Sequence, residues 1–110
     1  MDTMDRFAYL TPWASPEPPT EADLRRLMAE QGLRPYTWSN RSFDAYSLHS
    51  HAYHKVIYVV LGSITFGLPE ESRELVLKPG DRLDLPAGIA HDAIVGEQGV
   101  VCLEAHLDAS

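Results

Sequence analysis

The chain has 110 residues, 45% of them hydrophobic, which is enough apolar material for one domain with a single core. Its formal charge of −7 and pI near 5.0 argue against nucleic acid and anionic membrane surfaces, both of which are met with basic patches. No stretch approaches the ~18 apolar residues of a membrane span, the start carries Asp2 and Asp5 with no apolar signal region, and a single Cys102 excludes an internal disulfide, so a cytoplasmic protein is expected.

Residues 1–35 read as an extended segment followed by a short helix packing on the main body. Pro12 to Pro19 is too proline-dense for a helix and is expected to lie extended, flexible or packed on a neighbouring surface. Thr20 then provides an N-cap with Asp23 at the third position, and Leu24, Leu27 and Met28 form an apolar stripe that ends near Gly32. That stripe reads as packing against a core or as a lid, rather than as a cofactor-binding box.

Residues 36–110 change to β patterning. Strands are expected at Tyr36 to Trp38, Phe43 to His49, a long run to Leu61, Ile64 to Leu68, Arg73 to Leu77, Arg82 to Leu85, His91 to Val95 and Val100 to Leu107. Gly62-Ser63 and Pro69 to Ser72 read as hairpin connections. Short strands so spaced predict an antiparallel barrel or sandwich.

Chemistry concentrates at His49-Ser50-His51-Ala52-Tyr53-His54-Lys55. Taken as a strand, this stretch aims His49, His51, Tyr53 and Lys55 at one face and His54 at the other, where it reads as a packed or interface residue. Two imidazoles facing one space can begin a metal site. With five His in the chain, however, such a pair also arises by accident, and a third ligand has to come from elsewhere.

Downstream, Gly80, Pro86, Gly88 and His91 match the second motif of the cupin superfamily, with Val95 where that motif has Asn. His49, His51 and Gly62 match the first motif, in which Phe43 replaces the leading Gly and Lys55 replaces the Glu. The chain thus resembles a small single-domain cupin over roughly Thr37 to Leu107. The resemblance implies a mainly β fold, a small antiparallel barrel of the jelly-roll type with one N-terminal α-helix. It also implies a divalent metal (Fe, Mn, Ni, Cu or Zn) held inside the barrel by His49, His51 and His91.

Lys55 at the Glu position leaves three outcomes open, because an ammonium donates no lone pair and repels a cation. The metal could sit on three His with open positions, as in thiol dioxygenases. Alternatively, Lys55 could be neutralised or swung aside, or no metal could bind and Lys55 could take an anionic ligand. Tyr53 and Lys55 are the candidate catalytic residues, as proton donor and positive charge, in a dioxygenase-like or isomerase-like enzyme. The other reading is a pocket that binds a small anion or sugar without turnover.

The final strand alternates Cys102, Glu104 and His106 with Val101, Leu103, Ala105 and Leu107. The apolar set looks like the better core face, which would turn Glu104 and His106 outward. The alternative turns Glu104 inward as a partner for Lys55. By the same parity Ile57, Val59 and Leu61 face inward, and Val56, Tyr58 and Val60 form an outer apolar strip, covered by the N-terminal segment or by a second subunit in a homodimer.

Overall fold

The computed structural model describes residues 7–107, so the beginning of the chain, which bears on the secretory-signal expectation, and the last three residues of the expected barrel segment lie outside the described residues. The elements in chain order are β1 (Tyr9–Thr11), α1 (Glu21–Glu30), β2 (Tyr36–Asn40), β3 (Ala45–His49), β4 (His54–Leu68), β5 (Arg73–Leu77), β6 (Arg82–Leu85) and β7 (His91–Leu107). The mainly β class with one helix is as expected. All ladders are antiparallel, in the order β1-β6-β4-β7-β2, with β3 also on β7 and β5 also on β4. Among the described residues the sheet is not hydrogen-bonded into a closed barrel.

Two long strands organise everything else. β4 and β7 pair from His54↔Leu107 to Gly67↔Asp92, with register shifts between Val59 and Leu61 and between Gly62 and Ile64. Gly62-Ser63 is therefore a bulge inside one strand, not the expected hairpin, and the expected strands on either side of it are one. Val95 and Val100 likewise belong to a single strand. Pro69 to Ser72 does connect a hairpin, through a 3-10 turn closed by Ser72 in the left-handed region.

The apolar residues sort into two layers. Inside the curled sheet, Ile57, Val59, Ile64, Phe66, Leu77, Leu83, Leu85, Val95 and Cys102 form the main core. On the outer face of the same strands, Val56, Tyr58, Val60, Leu103 and Ala105 pack against Leu24, Met28 and Leu33. Of the two covers expected for the outer strip, the chain's own N-terminal helix is the one seen. Leu61 departs from the parity: the bulge turns it outward, and it is 62% exposed.

The helix forms for the reasons its sequence gives. The Thr20 side chain accepts from the Asp23 N–H (3.1 Å), and the Asp23 carboxylate accepts from the Thr20 N–H (3.0 Å), satisfying two otherwise orphaned donors. Leu24 and Met28 are fully buried, each contributing about 1.5–3 kcal/mol through burial. Ahead of the helix, Tyr9–Thr11 is an edge strand on β6, and the Trp13 N–H donates to Asp81 (3.0 Å), so the proline-rich segment is tied at its start. No helix among the described residues is long and apolar enough to cross a membrane.

Candidate metal centre

The two motifs meet through backbone pairing. His49 ends β3 directly opposite His91, which opens β7. Residues 50–53 leave the strand conformation, so His49 and His51 do not share a continuous strand as expected; His51 stands on the connection into β4. That connection is pinned by the Pro86-Ala87-Gly88 turn, whose Gly88 N–H donates to the His51 carbonyl (2.8 Å). One motif's turn therefore holds the other motif's histidine in place.

One ligand atom from each of His49, His51 and His91 lies within 4.8 Å of the others, and the rings stand 4.4–5.3 Å apart between centroids. The tautomers follow from their partners. His49 Nδ1–H donates to the Ser47 carbonyl (2.6 Å) and His91 Nδ1–H to the Ile89 carbonyl (2.9 Å), which leaves both Nε2 lone pairs free. His51 Nε2 lies 3.3 Å from Lys55 Nζ; an ammonium can only donate, so this Nε2 is the acceptor and His51 Nδ1–H donates to Tyr53 Oη (3.2 Å). Three imidazoles thus turn Nε2 toward one space, those of His49 and His91 with free lone pairs and that of His51 accepting from Lys55. This donor set fits a first-row divalent ion, with backbone carbonyls orienting two of the rings from behind.

Electrostatics favour neutral rings. Burial, then Lys55, His49 and His91, lower the His51 pKa to about 4. His91, which is 2% exposed, is also lowered, by burial first and then by the charges of His49 and Lys55. Both rings take up a proton more readily in the unfolded chain, near pH 6.5, than in the fold. Their contribution is fully present above that value and is lost as pH falls toward 4. A chelator-treated sample should therefore show a melting temperature that is level above pH 7 and falls from about 6.5 downward. Replacing His51 by Gln should shallow that fall; an unchanged profile would mean that His51 is not the group responsible.

Lys55 is half the story of the pocket floor, and Glu104 is the other half. Glu104 faces inward and is 3% exposed, with Oε2 3.3 Å from Lys55 Nζ. The inward alternative holds for this residue, and the apolar face of β7 serves the helix instead. Glu104 accepts from Tyr36 Oη (2.5 Å), Trp38 Nε1 (3.0 Å) and His106 Nε2 (2.8 Å). Burial alone would raise its pKa, but Tyr36, His106 and Lys55 outweigh burial and hold it below the ordinary carboxylate value. His106 also stacks on Tyr53, with ring centroids 4.0 Å apart. The sequence reading missed Tyr36 and Trp38. They alternate on β2 opposite Glu104 and Cys102, a spacing visible in the sequence once β2 is paired with β7.

His54 lies on the opposite face, as expected, with Nε2 2.9 Å from a buried Asp84 that also pairs with Arg82. It is not part of the cluster. Cys102 is fully buried, and burial followed by the charge of Glu104 pushes its thiol pKa up, so it offers no thiolate.

The three histidines, Tyr53 and Lys55 line a cavity of about 300 Å³ that is walled by Trp38, Tyr46, Ile57, Ile64 and Phe66. It is large enough for a small molecule and is lined by both polar and apolar side chains.

No protein-family model matches the sequence, and no curated protein matches it. Solved structures do. A DUF861 family protein from Thermotoga maritima is 17% identical and superposes with a TM-score of 0.64 over 92% of this chain and 100% of its own. An RmlC-like cupin from Shewanella frigidimarina is 22% identical, with a TM-score of 0.59 over 70% of this chain and 67% of its own. The polyketide cyclase RemF from Streptomyces resistomycificus is also 22% identical, with a TM-score of 0.59 over 71% of this chain and 57% of its own. With both motifs meeting on paired strands around three converging histidines, and with these superpositions, the chain has the cupin fold.

Proposed function

We propose that this protein is a metal-binding cupin in which His49, His51 and His91 hold a divalent ion at the floor of a pocket for a small molecule, on which it acts as an oxygenase. The observation that carries this reading is the convergence of three imidazoles, with one ligand nitrogen of each within 4.8 Å of the others. An ion there supplies Lewis acidity or, in the case of iron, oxygen chemistry. The chain's own residues do the rest. Lys55 offers a positive charge for an anionic group, and the Tyr53 hydroxyl, which already accepts from His51, is free to donate its proton toward the pocket. Trp38, Ile57, Ile64 and Phe66 exclude water from the body of the ligand.

The second reading is a binding pocket for a small anion or sugar without turnover. It is favoured by Lys55 standing on His51 Nε2, which gives the pocket a cation without any metal. Inductively coupled plasma mass spectrometry of protein purified without chelators separates the two, followed by oxygen-uptake assays of iron-loaded protein with small carboxylates. Near-stoichiometric metal with oxygen uptake supports the enzyme. Metal-free protein that still binds carboxylates supports the second reading.

A further inference from the structure

Lys55 Nζ stands 3.3 Å from two different acceptors, the lone pair of His51 Nε2 and the carboxylate of Glu104. The first of these is the lone pair a metal would need. The second belongs to a residue held in place from elsewhere: Glu104 keeps Tyr36, Trp38 and His106 as donors at 2.5–3.0 Å whether or not Lys55 touches it. The strand register makes the two positions neighbours. Lys55 lies opposite His106 and Ile57 opposite Glu104 on the β4–β7 ladder, so Glu104 is the diagonal partner of Lys55, within reach of a long side chain. The ammonium bridges both acceptors in one position, on a flexible four-carbon stem.

We infer that Lys55 is a displaceable gate on the three-histidine site and that Glu104 is the positioning residue that draws it off His51. The inference rests on the metal-binding reading above and adds what opens the site. With Lys55 on His51, only two of the three Nε2 lone pairs are free and an ammonium faces the incoming cation. With Lys55 drawn fully onto Glu104, all three are free and the ammonium is neutralised by a carboxylate that is already buried. The metal thus competes with Lys55 for His51, and Glu104 sets the balance.

Zinc titration calorimetry, with cobalt absorption spectra as a second readout, tests this on wild type, Lys55→Met, Glu104→Gln and the double variant. Lys55→Met should tighten zinc binding by at least about tenfold, because it removes the competitor and its like charge. Glu104→Gln should weaken binding by about tenfold where Lys55 is present, yet change it by no more than about threefold in the Lys55→Met background, as expected of two residues acting through one contact. Unchanged or weaker binding by Lys55→Met overturns the gate. Equal weakening by Glu104→Gln in both backgrounds also overturns it, since Glu104 would then act through its own charge. Lys55→Met leaves Glu104 its three other donors and reads the gate by itself if Glu104→Gln fails to fold. If neither wild type nor Lys55→Met binds zinc or cobalt, the metal-binding reading fails and the inference with it. Equal binding by the two leaves that reading standing and sinks the inference alone.

Discussion

If His49, His51 and His91 hold a metal as proposed, protein carrying His91→Ala should come out of a chelator-free purification with no more than traces of the metal expected in wild type. Changes to residues that only orient metal ligands already cost about 10–100-fold in affinity, and removal of one of only three donors should cost roughly a hundredfold or more. His91 is the donor whose loss is hardest to repair. It is buried at 2% exposure, its ring is fixed by the Ile89 carbonyl at 2.9 Å, and its strand position opposite His49 sets the spacing of the pair. Among the described residues no other His, Cys or carboxylate joins the cluster to replace it. His54→Ala is the matched control, because His54 is engaged by Asp84 on the other face and its removal should leave metal content unchanged. Both variants are read by elemental analysis of the same preparation. Wild-type stoichiometry in His91→Ala would place the metal elsewhere.

The sequence disclosed this site unevenly, for physical reasons. His49, His51 and His91 were legible because turn residues with fixed roles bracket them: the Pro86 to Gly88 turn pins the His51 carbonyl, and its spacing to His91 is short and local. Thr20 and Asp23 were legible for the same reason, since a capping box closes within three residues. Glu104 was ambiguous because β7 is buried on both faces. Leu103 and Ala105 pack under the helix while Cys102 and Glu104 face inward, and alternation cannot tell a core face from a helix-covered face. Tyr36 and Trp38 carry no local signal at all; their importance arises only from pairing with β7 some 65 residues away. Gly62-Ser63 was misread because a glycine-serine pair serves a two-residue turn and a bulge equally well. The choice lies with the partner strand, which continues past it.

That bulge carries the second large effect: Gly62→Ala should destabilise the protein by roughly 4 kcal/mol or more, among the largest costs of a single substitution. Gly62 has φ +77, and a Cβ there would lie 1.9 Å from the Gly99 carbonyl oxygen and 2.8 Å from its carbon. Both are backbone atoms of the paired strand, so relief requires β4 and β7 to part. Gly32 supplies the comparison. It has nearly the same φ, +76, but nothing within 4 Å of an added Cβ, so Gly32→Ala should show only the left-handed backbone cost, about 1–2 kcal/mol. Urea unfolding of both variants, compared at a common slope, isolates the clash from the strain. A Gly62→Ala midpoint no lower than that of Gly32→Ala would mean that the approach to Gly99 is soft. The consequence reaches the site, because the irregular pairing changes the phase of both long strands. On β4 the inward residues are Ile57 and Val59 before it and Ile64 and Phe66 after it; on β7 they are His91, Ala93 and Val95 before it and Cys102 and Glu104 after it. Without that change of phase, a β7 that turns His91 inward would turn Glu104 outward. The register shifts between Val59 and Ile64 on β4, where Gly62 lies against Gly99, therefore go with the change of phase by which one strand delivers both a metal-ligand candidate and the counter-charge for Lys55 to the same cavity.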